Sequence, residues 1–153
     1  MNVLGIDPGI GVTALAYLRG DNTLELCTIR LGAKMDPDER IFEVADKMRG
    51  FLRGKPLPDE VVIEGFAMYG LKGSVTNAFH MGRLIQAILF TLNACCLRAK
   101  TIPAREVRKY ITGNPSAKSA QIREGLRLMG YEGGNDHTRD ALALALYWRD
   151  SHA

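Results

Sequence analysis

The stretch Val3-Leu4-Gly5-Ile6-Asp7-Pro8-Gly9-Ile10-Gly11 constrains this chain more than any other. Val3, Leu4 and Ile6 suit a strand covered on both faces, while Pro8, Gly9 and Gly11 end it and let backbone come close to something small or anionic. Asp7 is thereby delivered at a strand tip. Burying an ionised carboxylate costs several kcal/mol unless it is paired or bound to metal. Two readings follow: an Asx turn, in which the side chain caps its own backbone, or one member of a charged site.

The length of 153 residues suits a single α/β domain spanning 1–153, with a full core. A hydrophobic content of 46% and a charged content of 24% exclude a disordered chain, and no repeat or low-complexity tract is present. The net charge of +3 is compatible with a polyanionic partner without requiring one. Cys27, Cys95 and Cys96 have no metal-finger spacing and read as reduced thiols, which suits a cytoplasmic protein. No basic region followed by an apolar core opens the chain, so no standard secretory signal is expected. The longest apolar run, Leu84 to Leu97, is interrupted by Gln86, Thr91 and Asn93 and falls short of the ~20 residues a bilayer span needs.

Val12 to Leu18 and Thr23 to Leu31 read as two further strands joined by the turn-formers Arg19-Gly20-Asp21-Asn22, so three antiparallel strands open the fold. Ile41, Val44, Ala45, Met48 and Leu52 recur at helical spacing over Asp36 to Leu52, with Asp36-Pro37 as cap and first position. Glu60-Val61-Val62-Ile63-Glu64 repeats the opening layout, a short apolar run that ends on an acid. Gly65 to Ser74 reads as a loop carrying Phe66, Met68, Tyr69 and Lys72. The helix that follows, Ser74 to Ala94, has so few polar residues that it must be covered on more than one side, as a central core helix or against a second subunit. His80, alone on its apolar surface, reads as structural.

Ala99 to Ile102 is expected as a strand and Pro103 to Tyr110 as a short helix bearing Arg105, Arg108 and Lys109. Ser116 is placed to cap a helix over Ala117 to Met129, with Ile122, Leu126 and Met129 on one side and Lys118, Arg123 and Arg127 exposed. These cations form either a solvated face or a phosphate-binding one. The last helix, Asp136 to Arg149, follows Gly133-Gly134-Asn135; its alternating Ala and Leu let it lie close on a sheet, which presses its polar first turn against the sheet's end.

Acids from three separate elements thus converge: Asp7, Glu64 and Asp140. Like charges so placed raise one another's pKa and are tolerable mainly around a divalent cation, and hard oxygen donors point to Mg²⁺ or Mn²⁺. His137, three residues before Asp140, shares its helix face, and Asp136 reaches the same face as an alternative. Two such ions about 3.5 to 4 Å apart are suited to in-line hydrolysis of a phosphodiester.

Four blocks carry a resemblance: Gly5-Ile6-Asp7-Pro8-Gly9, Ile63-Glu64 with its loop and Phe66, Gly113-Asn114-Pro115-Ser116-Ala117-Lys118, and His137-Thr138-Arg139-Asp140-Ala141-Leu142-Ala143. Together and in this order the set resembles the RuvC-type Holliday-junction resolvases. The resemblance implies a ribonuclease H-like α/β fold, a five-stranded mixed sheet with its first three strands antiparallel, flanked by helices. It also implies a homodimer that nicks two strands of a four-way DNA junction, metal at Asp7, Glu64, His137 and Asp140, a catalytic Lys118, and an aromatic, Phe66, at the junction centre. Lys72, Arg105, Arg108, Lys109, Lys118, Arg123 and Arg127 are then expected on phosphates. Rival expectations are a nuclease for RNA:DNA hybrids, which shares fold and acids, and a catalytically silent branched-DNA-binding module.

Overall fold

A computed structural model describes residues 1–65 and 75–153 of the chain. Five strands, β1 (Val3–Asp7), β2 (Val12–Leu18), β3 (Leu24–Arg30), β4 (Glu60–Gly65) and β5 (Ala99–Pro103), form one sheet in the order β3-β2-β1-β4-β5. β1, β2 and β3 pair antiparallel, while β4 and β5 join parallel to β1 and to each other. Five helices complete the chain: α1 (Pro37–Leu52), α2 (Val75–Ala94), α3 (Ala104–Thr112), α4 (Ser119–Leu128) and α5 (Asp136–Ser151). Phe66, Lys72 and the loop expected around them lie outside the described residues.

The alternation of each strand divides the core in two. Val3, Ala14, Ala16, Leu18 and Val62 face α3, α4 and α5. Leu4, Ile6, Leu15, Tyr17, Ile29, Val61 and Ile63 face α1 and α2. Each fully buried Leu or Ile here contributes roughly 1.5–3 kcal/mol.

Local chemistry sets the element ends. Asn22 takes φ 67° in the β2–β3 turn, and Asp36 caps α1 by accepting from the Asp38 amide at 2.8 Å. Pro37 sits at the first helical position, where its missing N–H costs nothing. The start of α4 differs from the expectation: it begins at Ser119, with Lys118 rather than Ser116 in the capping position. The Gln121 side chain reaches back to accept from the Lys118 amide at 3.0 Å, and the Asn114 side chain takes the Ser116 amide for a separate turn. Met129 falls just past that helix's end and is partly exposed, leaving Ile122 and Leu126 as its buried stripe.

α2 buries Leu84, Ile88, Thr91 and Leu92, the threonine satisfied by donating to the Ala87 carbonyl at 2.8 Å. Its opposite side leaves Phe79, Leu89 and Phe90 exposed, so among the described residues this chain covers only one side of α2. No helix of the described residues is long and apolar enough to cross a membrane.

Candidate active site at the strand tips

Asp7, Glu64 and Asp140 come together because of one glycine and one register. Val3, Gly5 and Asp7 point to the same face of β1, the face on which α5 lies. A Cβ at Gly5 would stand 2.0 Å from the Ala141 carbonyl oxygen, so only glycine lets the α5 backbone rest directly on the strand. The residue before Ala141 is Asp140, which is thereby set over the strand's end. In the parallel pairing of β1 with β4, Ile6 is opposite Ile63. One residue on, Asp7 and Glu64 stand abreast on neighbouring strands, roughly 4.8 Å apart at the backbone.

The first turn of α5 is held by its own cap. Asn135 accepts from the Thr138 amide at 3.0 Å, Thr138 Oγ1 accepts from the Asn135 amide at 2.9 Å, and Asn135 Nδ2 donates to Thr28 Oγ1 on β3 at 2.9 Å. This reciprocal box fixes the helix start across the sheet. The turn after Asp7 is tied as tightly: Thr13 donates to the Gly9 carbonyl at 3.1 Å, and a Cβ at Gly9 would meet the Val12 carbonyl oxygen at 2.4 Å.

The Asp7 carboxylate is buried, and its hydrogen-bond partner is His137 Nδ1 at 3.0 Å, not the backbone of its own turn. The Asx-turn reading is therefore not what the structure holds. Burial pushes the Asp7 pKa up, and the His137 contact and the positive charge of Arg108 pull it back down. Burial and the charges of Asp7 and Asp140 push the Glu64 carboxyl up to about 7. Burial, followed by the charge of Asp7, pushes Asp140 up to about 6. Each shift is the cost of gathering negative charge where water is scarce.

Among the described residues no three His, Cys, Asp or Glu side chains stand in a ready-made ligand set. Asp7 is turned toward His137, so the acids form an electrostatically coupled cluster and not a closed coordination sphere. The donor chemistry nonetheless fits a hard divalent cation: carboxylate oxygens from three elements, two of them with pKa values raised first by burial and then by neighbouring negative charge, beside an imidazole about half exposed. Asp136 is paired to Arg139 at 3.1 Å, and its charge is among those acting on Asp140.

Besides His137, Arg108 on α3 is the positive charge that acts on all three acids. It is half-buried, whereas Arg105 and Lys109 on the same helix are exposed. From the sequence alone Arg108 is expected only among the phosphate contacts. Its nearness to the acids depends on α3 following β5, the strand next to Glu64's, which is readable only once the sheet order is known. Lys118, at the start of α4, is exposed and is not among the charges acting most strongly on the acids. Arg123 is exposed on α4, and Arg127 is held by two hydrogen bonds to Glu124, at 2.9 and 2.7 Å. His80 lies on α2, across the sheet from the acids.

A five-stranded mixed sheet of this order, with carboxylates at the tips of its two central strands and a third on the helix laid over them, defines a ribonuclease H-like domain. The sequence model for crossover junction endodeoxyribonuclease RuvC matches residues 3–148, and the chain belongs to that enzyme family. The RuvC of Ehrlichia canis is 27% identical over 152 residues, covering 95% of this chain and 94% of that protein. The Thermus thermophilus RuvC structure superposes with a TM-score of 0.75 at 22% identity, over 96% of this chain and 92% of that one. The same protein in complex with a Holliday junction substrate gives 0.76 at 22% identity, with the same coverage.

Proposed function

We propose that this chain is a homodimeric, metal-dependent endonuclease that resolves four-way DNA junctions by paired phosphodiester hydrolysis in the cytoplasm. The observation that carries the reading is the shared desolvated site of Asp7, Glu64 and Asp140 at the strand tips, with Glu64 pushed up to about 7 by burial and then by the charges of Asp7 and Asp140. Membership of the RuvC family and the likeness to a relative solved with a Holliday junction support the choice of substrate.

Asp7, Glu64 and Asp140, with His137 as nitrogen donor or Asp136 in its stead, would hold Mg²⁺ or Mn²⁺, two ions per site. When bound, such ions supply activation of the attacking water and stabilisation of the leaving oxygen. The chain's own residues do the rest. Arg108 brings positive charge to the same place and meets the phosphate as negative charge builds on it. His137, hydrogen-bonded to Asp7, is positioned to hold or pass a proton at its Nδ1. Lys118, Arg105 and Lys109 contact flanking phosphates, as do Lys72, Arg123 and Arg127; the last must exchange its Glu124 partner for DNA. These contacts set affinity without reading bases. Phe66 stacks on a base at the crossover, a contact worth ~1 to 3 kcal/mol. The exposed apolar side of α2, with Phe79, Leu89 and Phe90, supports the second subunit's seat.

The test is a gel of labelled four-way junction, linear duplex and RNA:DNA hybrid, each with Mg²⁺ and with EDTA. Cleavage confined to the junction and to Mg²⁺ is expected. Asp7→Asn should cut at least about 10³-fold more slowly while still binding the junction, by analogy with other losses of transition-state electrostatics. Full cutting by that variant removes the metal-site reading, and preferential cutting of the hybrid replaces the substrate.

A further inference from the structure

The described cations that flank the acids through α3 lie on one side of them, toward β5. The opposite side is bounded by β3, the sheet's edge strand. Leu24 and Leu26 of β3 pack into the core under α5, and Thr28 receives the hydrogen bond of Asn135 from that helix's start. Residues two apart on a strand share a face. Arg30 therefore continues the α5 face just beyond Thr28, at the end of the sheet where Asp7 also emerges, since β3 runs in the same sense as β1. It is exposed and, among the described residues, its side chain has no ion pair and no hydrogen bond. Asp136, at the α5 start, is engaged by Arg139.

β2 lies between β3 and β1, so Thr28 is level with Asp7 two strand spacings away, and Arg30, two residues further along β3, stands roughly 12 Å from Asp7 at the backbone. That span is about three to four nucleotides at about 3.4 Å of duplex axis each. Arg30 is not among the charges acting most strongly on the acids, so its work is on the nucleic acid and not on the reacting centre. We propose that Arg30 is a backbone phosphate anchor on the β3 side of the acids, so that the cut strand is gripped on both flanks, by Arg30 on one and by α3 on the other. The inference rests on the endonuclease reading for its substrate. It follows from strand register and an unengaged guanidinium, which a phosphate satisfies with parallel hydrogen bonds.

The experiment measures binding of labelled four-way junction and linear duplex in EDTA from 50 to 200 mM NaCl, for wild type, Arg30→Ala and Arg30→Lys. Arg30→Ala should weaken junction binding and flatten the plot of log affinity against log salt by about 0.9, so its deficit at 50 mM is about 3.5 times that at 200 mM. Arg30→Lys should keep the wild-type slope. Single-turnover cleavage by saturating Arg30→Ala in Mg²⁺ should stay within twofold of wild type. A wild-type slope and affinity for Arg30→Ala overturn the inference, as does a tenfold loss at saturation, which would make the residue part of the chemistry. Wild type binding the junction no better than the duplex sinks the junction reading separately, and the slope on the duplex still decides the role of Arg30.

Discussion

The two faces of the sheet are built on opposite principles. On the α5 side the contact is small against small: Gly5 beneath Ala141 and Ala145, with no room for one added carbon. On the α1 and α2 side, Tyr17, Leu4, Ile6, Met48, Ile88 and Leu92 fill a thicker layer of large side chains. Large side chains can shift rotamer to absorb a change; backbone resting on backbone cannot. The close face carries the acids because strand tip and helix start meet at a defined height only where nothing compressible lies between them. The thick face carries the exposed phenyl rings of α2. Precision and bulk are thus segregated across one sheet.

The largest effect should come from changing one methyl on each face. Gly5→Ala adds a carbon that must displace the Ala141 carbonyl, and overpacking of this kind costs about 1–3 kcal/mol even where side chains can yield. Against backbone we expect about 3 kcal/mol or more by urea denaturation, and a loss of cleavage as Asp140 is lifted from Asp7. Ile88→Val removes a carbon from the fully buried opposite face and should cost about 1 kcal/mol, with cleavage kept. Equal costs would erase the contrast.

A smaller effect sharpens the electrostatic half of it. Glu64 keeps its proton up to about 7 in the folded chain, against 4.5 when unfolded. As the pH rises between those values the unfolded chain releases the proton first, so metal-free stability falls, and the fall is complete above about 7. Asp140, raised from 3.8 to about 6, adds to it at lower pH. Glu64→Gln should remove the Glu64 share, gaining about 3 kcal/mol over wild type in EDTA at pH 7.5 and almost nothing at pH 4. Urea midpoints at the two pH values read this directly. A gain independent of pH would mean that packing, not charge, is what Glu64 strains.

Much of this was legible in the residues. Short apolar runs ending on Asp7 and Glu64 announced the central strands, and the Ala-Leu alternation of 141–146 announced a helix seated close to them. What the chain could not disclose were facts of adjacency. Gly5 reads as a tolerated glycine until Ala141 is found above it. Arg108 reads as one of several surface cations until β5 is seen beside β4. Ser116 looked like a cap because Ser commonly is one, yet the Gln121 side chain favours a start at Ser119. Arg30 was hidden differently: the last residue of a strand carries no periodic signal, and its face is set by a register that only pairing reveals.

The smallest effect on folding belongs to the outer side of the thick face, and it tests the partner. Phe79, Leu89 and Phe90 recur along a 20-residue helix about 30 Å long, and Phe90 is 65% exposed. Because Phe90 adds nothing to the chain's own core, Phe90→Glu should change the monomer's stability by no more than about 0.5 kcal/mol. If two copies meet on α2, the same change sets a buried charge facing the symmetric position of the second helix, where neither can be paired. Sedimentation equilibrium should then report a halved mass, and the junction gel should show single nicks in place of paired ones. A dimer that survives Phe90→Glu would move the interface elsewhere and leave the exposed rings to another partner. Segregation of the two faces predicts the converse on the close face, where Gly5→Ala should damage the fold without the change of association state expected of Phe90→Glu.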